Sequence, residues 1–96
     1  MFLVLNHYEK PEEVDLYLKE HRAFLDVHYA SQALVFSGRR KPPIGGVVLF
    51  NLSDVEEVQK IMAQDPFFVN GVTRFEIIEF VPNKYDPRFE PFIKNE

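Results

Sequence analysis

The chain contains no cysteine. That excludes a disulfide framework, a thiol nucleophile and a thiolate metal site. No apolar run approaches the roughly 18 residues needed to span a bilayer. There is also no basic-then-apolar leader, so a cytoplasmic protein without membrane contact is expected. Positive charge is in short supply: 11 Lys and Arg against 15 Asp and Glu leave a formal charge of -4, with a pI near 5.3. Such a balance disfavours a long phosphate-binding surface, and nucleic acid is not an expected partner. Gly45-Gly46 has neither the phosphate-loop spacing nor the dinucleotide fingerprint, and a strand pattern rather than a helix follows it. No nucleotide cofactor is implied. Longer-period repeats and low-complexity segments are absent as well.

The 96 residues that are there fit one domain. A domain this small has a limited core, and self-association would help it. Phe2-Leu3-Val4-Leu5, continuing to Tyr8, is apolar on both faces at its start, as a central strand should be. Pro11 suits a first helical turn, and Glu12, Glu13 and Asp15 place negative charge where the helix dipole favours it. The first helix is expected to run to about Ala33. Leu34 to Gly38 reads as a second strand. Arg39 to Pro43, with adjacent prolines, reads as a loop.

Gly45-Gly46 gives flexibility before a third, buried strand, Val47 to Phe50. Ser53 and Glu56 then make a capping-box signature for a second helix with Val55, Val58, Ile61 and Met62 on its inner face. Pro66 confines Asp65 to extended or turn geometry and closes that helix. Gly71 permits a turn into a last strand, Val72 to Val81.

The resulting order, βαββαβ, is that of a ferredoxin-like α+β sandwich with both helices on one sheet face. The other face carries bulky residues too, so a homodimer through sheet faces is expected, with higher assembly open. Residues 1–82 would form the domain. Residues 83–96 would be an extension whose Tyr85, Phe89 and Phe92 are too aromatic for a disordered tag, packing on the domain or on a partner subunit.

Chemistry concentrates on a few polar residues. A helix centred on Val14, Leu18, His21, Leu25 and His28 aims the His21 imidazole at the core, where it needs a partner. Asp65 closes the second helix and could supply one. A histidine beside a carboxylate is a workable general base, because the carboxylate fixes the tautomer and stabilises the imidazolium. The alternative is a buried histidine bonded to backbone and an aspartate bonded to nearby amides. His28 lies two turns from His21, about 10 Å along the axis, too far for joint metal ligation, and no metal site is expected.

His7 on the first strand could line the same cavity. Ser37-Gly38 lacks a nucleophile elbow; Ser37 could instead donate a hydrogen bond to ligand, with Gly38 allowing close backbone approach. Arg39, Arg40 and Lys41 could recruit an anionic substrate, or simply form a solvated turn. The many phenylalanines read as core and interface rather than as a cofactor box.

His21-Arg22, Ser37-Gly38, Gly45-Gly46, Asp65-Pro66-Phe67, Gly71 and Glu79-Phe80, in this order and spacing, resemble the YciI-like family of dimeric α+β barrel proteins. The resemblance covers nearly the whole domain and leaves the tail outside. It implies a ferredoxin-like fold, a homodimer, and an active site built on a histidine and an aspartate, which carry over to His21 and Asp65. A few members of the family and its wider superfamily act on small hydroxylated aromatic or lactone compounds. The loop Gly38-Arg39-Arg40-Lys41-Pro42 is more basic than the Gly-Pro, often acidic, segment of many relatives.

Two functions follow as expectations. One is a cofactor-independent lyase or isomerase in which His21 moves a proton, Asp65 orients it, and Ser37, Gly38, Arg39 and His7 contact an anionic or aromatic small molecule. The other is a non-catalytic ligand-binding or scaffold protein with the same fold.

Overall fold

A computed structural model describes residues 1–93. The elements follow in the expected order: β1 (Phe2–Tyr8), α1 (Val14–Ala30), β2 (Leu34–Arg39), β3 (Gly45–Phe50), α2 (Val55–Met62), a short α3 (Pro66–Val69) and β4 (Thr73–Glu79). The four strands form one sheet in the order β2-β3-β1-β4, with every pairing antiparallel. β1 and β3 are therefore central, as their continuous apolar runs require. The chain is an α+β fold of the ferredoxin-like type.

The core lies between the sheet and the helices. Phe2 and Val4 of β1, Val48 and Phe50 of β3, and Val58 and Met62 of α2 are buried together, with Leu25 and Tyr29 of α1 packed against them. Full burial of such a side chain is worth about 1.5–3 kcal/mol, which holds α2 firmly to the sheet. Helix α1 contributes no fully buried residue. It covers one end of the sheet incompletely, and the space beneath it becomes the cleft described below.

Alternation along the strands sends Leu3, Leu5, Val47, Leu49 and Ile78 to the opposite face. Phe36, Ile78 and Phe80 are exposed large hydrophobics.

Several boundaries differ from the sequence expectation, each for a local reason. Helix α1 stops at Ala30 rather than Ala33, because Gln32 adopts φ 66° and the Gln32 and Ala33 amides bond back to Tyr29 and His28. This is a Schellman closure with glutamine where glycine is usual. The cap of α2 is Asp54, not Ser53: its Oδ1 accepts from the Glu56 amide at 3.0 Å. Helix α2 ends at Met62, short of Pro66, and Pro66 instead opens α3. The last strand spans Thr73–Glu79 rather than Val72 to Val81, and Arg39 belongs to β2 rather than to the loop.

Gly45 is inside β3 and serves close approach rather than flexibility: a Cβ there would lie 1.8 Å from the Asn6 carbonyl oxygen. Gly71, with φ 71°, makes the turn into β4 as expected.

Beyond β4 the chain forms a 3-10 turn over Pro87–Phe92 in which Phe89 and Phe92 meet at 5.7 Å, and Tyr85, Phe89 and Phe92 stay exposed. Hydrogen bonds from Arg88 hold the Asp86 carboxyl below its ordinary range. Residues 94–96 of the expected extension lie outside the described residues.

Candidate active site

Asp65 is placed by its own neighbours. Pro66 holds it extended, at φ -60° and ψ 124°, so that its Oδ1 accepts from the Phe67 amide at 3.0 Å and caps α3. Helix α3 packs against α1. The same Oδ1 thereby meets the His21 Nδ1 at 2.8 Å, with the Asp65 side chain 1 % exposed and the His21 side chain 15 %. A carboxylate can only accept, so His21 Nδ1 donates and the Nε2 lone pair is left for another partner.

Phe67 completes the mount. Its ring stacks on the imidazole at 4.0 Å between centroids and 9° between planes, while Tyr8 meets Phe67 edge-on at 6.4 Å. The ring is therefore gripped on one face and tied at one nitrogen.

His21 lines a cleft of about 400 Å³ between α1 and the sheet. Val14, Leu18 and Leu25 of α1 form its roof; Asn6 and Tyr8 of β1, Val48 of β3 and Thr73 of β4 form its floor. Ser37, Gly38 and Arg39 of β2, together with Arg22 of α1, stand around it. Asp65 is behind the imidazole rather than in the cleft. Both expected catalytic residues thus come together, along with three of the four expected ligand contacts.

A bulge in β2 aims that strand. The register shifts between Leu34 and Phe36, so that Ser37 faces Val48 and Arg39 faces Gly46 on the helix side, while Phe36 pairs with Leu49 on the open side. Simple alternation from Leu34 would have turned Ser37 and Arg39 away. The Ser37 hydroxyl is paired with the Tyr29 hydroxyl at 2.7 Å, which suits a positioning contact and not a nucleophile.

His7 does not line the cleft. One residue beyond Asn6 on β1, it points to the opposite sheet face, where Arg40 donates to its Nδ1 at 2.9 Å and Glu76 lies 3.7 Å from its Nε2. The basic run is likewise divided, with Arg39 at the cleft and Arg40 on the far face beside His7. His28 packs edge-on against Phe24 at 4.8 Å. Among the described residues no cluster of three His, Asp or Glu side chains is placed to hold a metal ion.

Residues 1–81 match the YCII-related domain. The chain belongs to that family. Among curated proteins none matches the sequence. Among solved structures, the YCII-related domain is similar to the 5-chloro-2-hydroxyhydroquinone dehydrochlorinase of Burkholderia phenoliruptrix AC1100, determined in complex with 2,5-dihydroxybenzoquinone. The TM-score is 0.65 at 16% identity, covering 83% of this chain and 93% of that one. At that identity the likeness establishes a shared fold, in agreement with the sheet order above.

Asn6, Tyr8, Thr73 and Arg22 also line the cleft of this YCII-related domain, and the sequence alone assigns none of them a role there. One signal was present. Asn6 interrupts the series Phe2, Val4 on the inward side of β1, a polar residue where the period demands an apolar one.

Proposed function

We propose that this YCII-related domain is a cofactor-independent small-molecule enzyme of lyase or isomerase type, with His21 as general base and acid. The observation that carries the reading is the 2.8 Å contact of His21 with a buried Asp65 at the wall of an open cleft. Nε2 takes a proton from the substrate, Asp65 stabilises the imidazolium, and the same nitrogen returns the proton to another substrate atom or to the leaving group. A positioned acid-base group of this kind is worth about 10²–10⁴-fold in rate.

Arg39 and Arg22 favour an anionic ligand, and the aliphatic roof favours a flat or apolar body. Ser37, held by Tyr29, and the Gly38 backbone border the same space. The dehydrochlorinase with its quinone complex offers a precedent on this fold for a small oxygenated ring as ligand.

The working unit in this proposal is a homodimer through the open sheet face, where exposed Phe36, Ile78 and Phe80 are covered by a second copy and the aromatic tail extends onto the partner. A standard interface of about 800 Å² per subunit would suffice.

Turnover of a panel of small hydroxylated, carboxylated and lactone compounds, followed by mass spectrometry in D2O, tests the reading. Product formation or deuterium uptake that disappears in His21→Ala, with the fold intact, supports it. Full turnover in that variant overturns it. The non-catalytic alternative is favoured by one observation: the Asp65 oxygen that meets His21 also caps α3, so the pair has a structural task. Ligand binding without conversion anywhere in the panel would select that alternative.

A further inference from the structure

Two polar side chains on the cleft floor have no partner. Asn6 Oδ1 and Thr73 Oγ1 are, among the described residues, the buried side-chain nitrogen or oxygen atoms left without a hydrogen bond. Both residues are 4% exposed, and both line the cleft that holds His21. In β1 and β4, Asn6 is opposite Phe75 and Tyr8 is opposite Thr73. Asn6 and Thr73 are therefore diagonal neighbours on the helix-facing side of the sheet.

Buried polar atoms are nearly always satisfied, because leaving one unpaired forfeits its hydration without return. Asp65, the other buried polar side chain among the described residues, shows the usual outcome with two donors on one oxygen. Polar groups left unpaired on a cleft floor are free to bond a partner that arrives with the ligand.

The chemistry of the pair selects that partner. Thr73 has an O–H to donate, and the Asn6 amide, as oriented, has a carbonyl oxygen to accept. A hydroxyl group accepts and donates at once and satisfies both. A carboxylate would leave Asn6 unpaired, and an ammonium would leave Thr73 without an acceptor for its proton.

We infer that Asn6 and Thr73 form a hydroxyl-binding subsite, so that the molecule taken up beside His21 carries an alcohol or phenol hydroxyl directed at the sheet. The inference rests on the reading of this cleft as the substrate site. It does not require that His21 perform catalysis. The hydroxyl accepts from Thr73 Oγ1 and donates to Asn6 Oδ1, which fixes the ligand's depth and rotation under the imidazole.

Calorimetric titration with two probe pairs, each differing by one hydroxyl, tests the subsite: 4-hydroxybenzoate against benzoate, and 4-hydroxyphenylacetate against phenylacetate. The hydroxylated member of each pair is expected to bind about tenfold more tightly to the wild-type protein. Thr73→Val, close in shape, should abolish that preference, leave benzoate and phenylacetate affinities within about twofold, and raise the melting temperature by removing an unsatisfied group. Asn6→Leu should abolish the preference as well.

Equal affinities within each wild-type pair overturn the inference, as does absence of binding by all probes at millimolar concentration. So does a Thr73→Val protein that melts lower yet keeps the preference, since the hydroxyl would then hold a structural water. His21→Gln separates the two claims. A preference that survives in this variant, together with unimpaired turnover, sinks the catalytic reading alone. A lost preference in Thr73→Val beside a His21-dependent turnover confirms both.

Discussion

His21 and Asp65, 44 positions apart, meet at 2.8 Å because the middle of α1 and the start of α3 converge on one point. The middle of α1 presents the imidazole, and the Asp65-Pro66 turn presents the carboxylate at the first residue before α3. One oxygen serves both the cap and the imidazole. The local structure of α3 and the orientation of the candidate base are thus a single arrangement.

Asp65→Asn separates those tasks. An asparagine oxygen still caps α3, so stability should fall by no more than about 1 kcal/mol. The charge that supports the imidazolium is gone, and turnover should drop by about 10²-fold or more. Asp65→Ala should lose the cap in addition, a further cost of about 1 kcal/mol. Urea denaturation beside rate measurements on the three proteins reads both effects.

Phe67→Leu removes the ring stacked on His21 at 4.0 Å and the edge contact with Tyr8. A stability loss of about 1–2 kcal/mol is expected from the lost volume and aromatic contacts. The imidazole is also freed to rotate, so turnover should fall more than the stability loss explains. Unchanged rate in a folded Phe67→Leu protein would show that the Asp65 bond alone holds the ring.

Gly45→Ala and Gly38→Ala form a contrast within one hairpin. A methyl at Gly45 meets the Asn6 carbonyl at 1.8 Å, whereas at Gly38 nothing lies within 4 Å. Gly45→Ala should cost several kcal/mol, about 3 or more, because backbone must move. Gly38→Ala should be neutral to within about 1 kcal/mol. Thermal melts of both variants check the pair.

The proposed sheet-face assembly predicts a dimer at micromolar concentration by sedimentation. Ile78→Lys, on an exposed position of that face, should shift the equilibrium toward monomer without unfolding it. A wild-type protein that sediments as a monomer would remove the dimer from the account.

What the sequence disclosed follows its periodicities. The α1 stripe placed His21 inward, the apolar runs placed β1 and β3 at the centre, and the Asp65-Pro66 step placed Asp65 in extended geometry after the second helix. These are local regularities with a fixed period or a strong backbone restriction. Ser37 and Arg39 also reached the cleft, but through a bulge after Leu34 that no residue type announces. His7 failed as a cleft residue for the simplest reason: Asn6 beside it took the inward side. Gln32 in a left-handed conformation and Asp54 as cap show how single residues moved helix ends by one to three positions. The contact of His21 with Asp65 and the unsatisfied Asn6-Thr73 pair are tertiary facts, visible only once α1, α3, β1 and β4 are placed together.

The most direct test of the central claim needs no substrate. Long-range 1H-15N correlation spectra of the histidine rings report which nitrogen of the neutral His21 imidazole carries the proton. If Nδ1 donates to Asp65 and Nε2 is the base on the cleft side, His21 should be found as the Nδ1–H tautomer, and Asp65→Leu should release it to the Nε2–H form usual for free imidazole. A wild-type His21 already in the Nε2–H form would contradict the account, because the nitrogen assigned to take the substrate proton would be occupied.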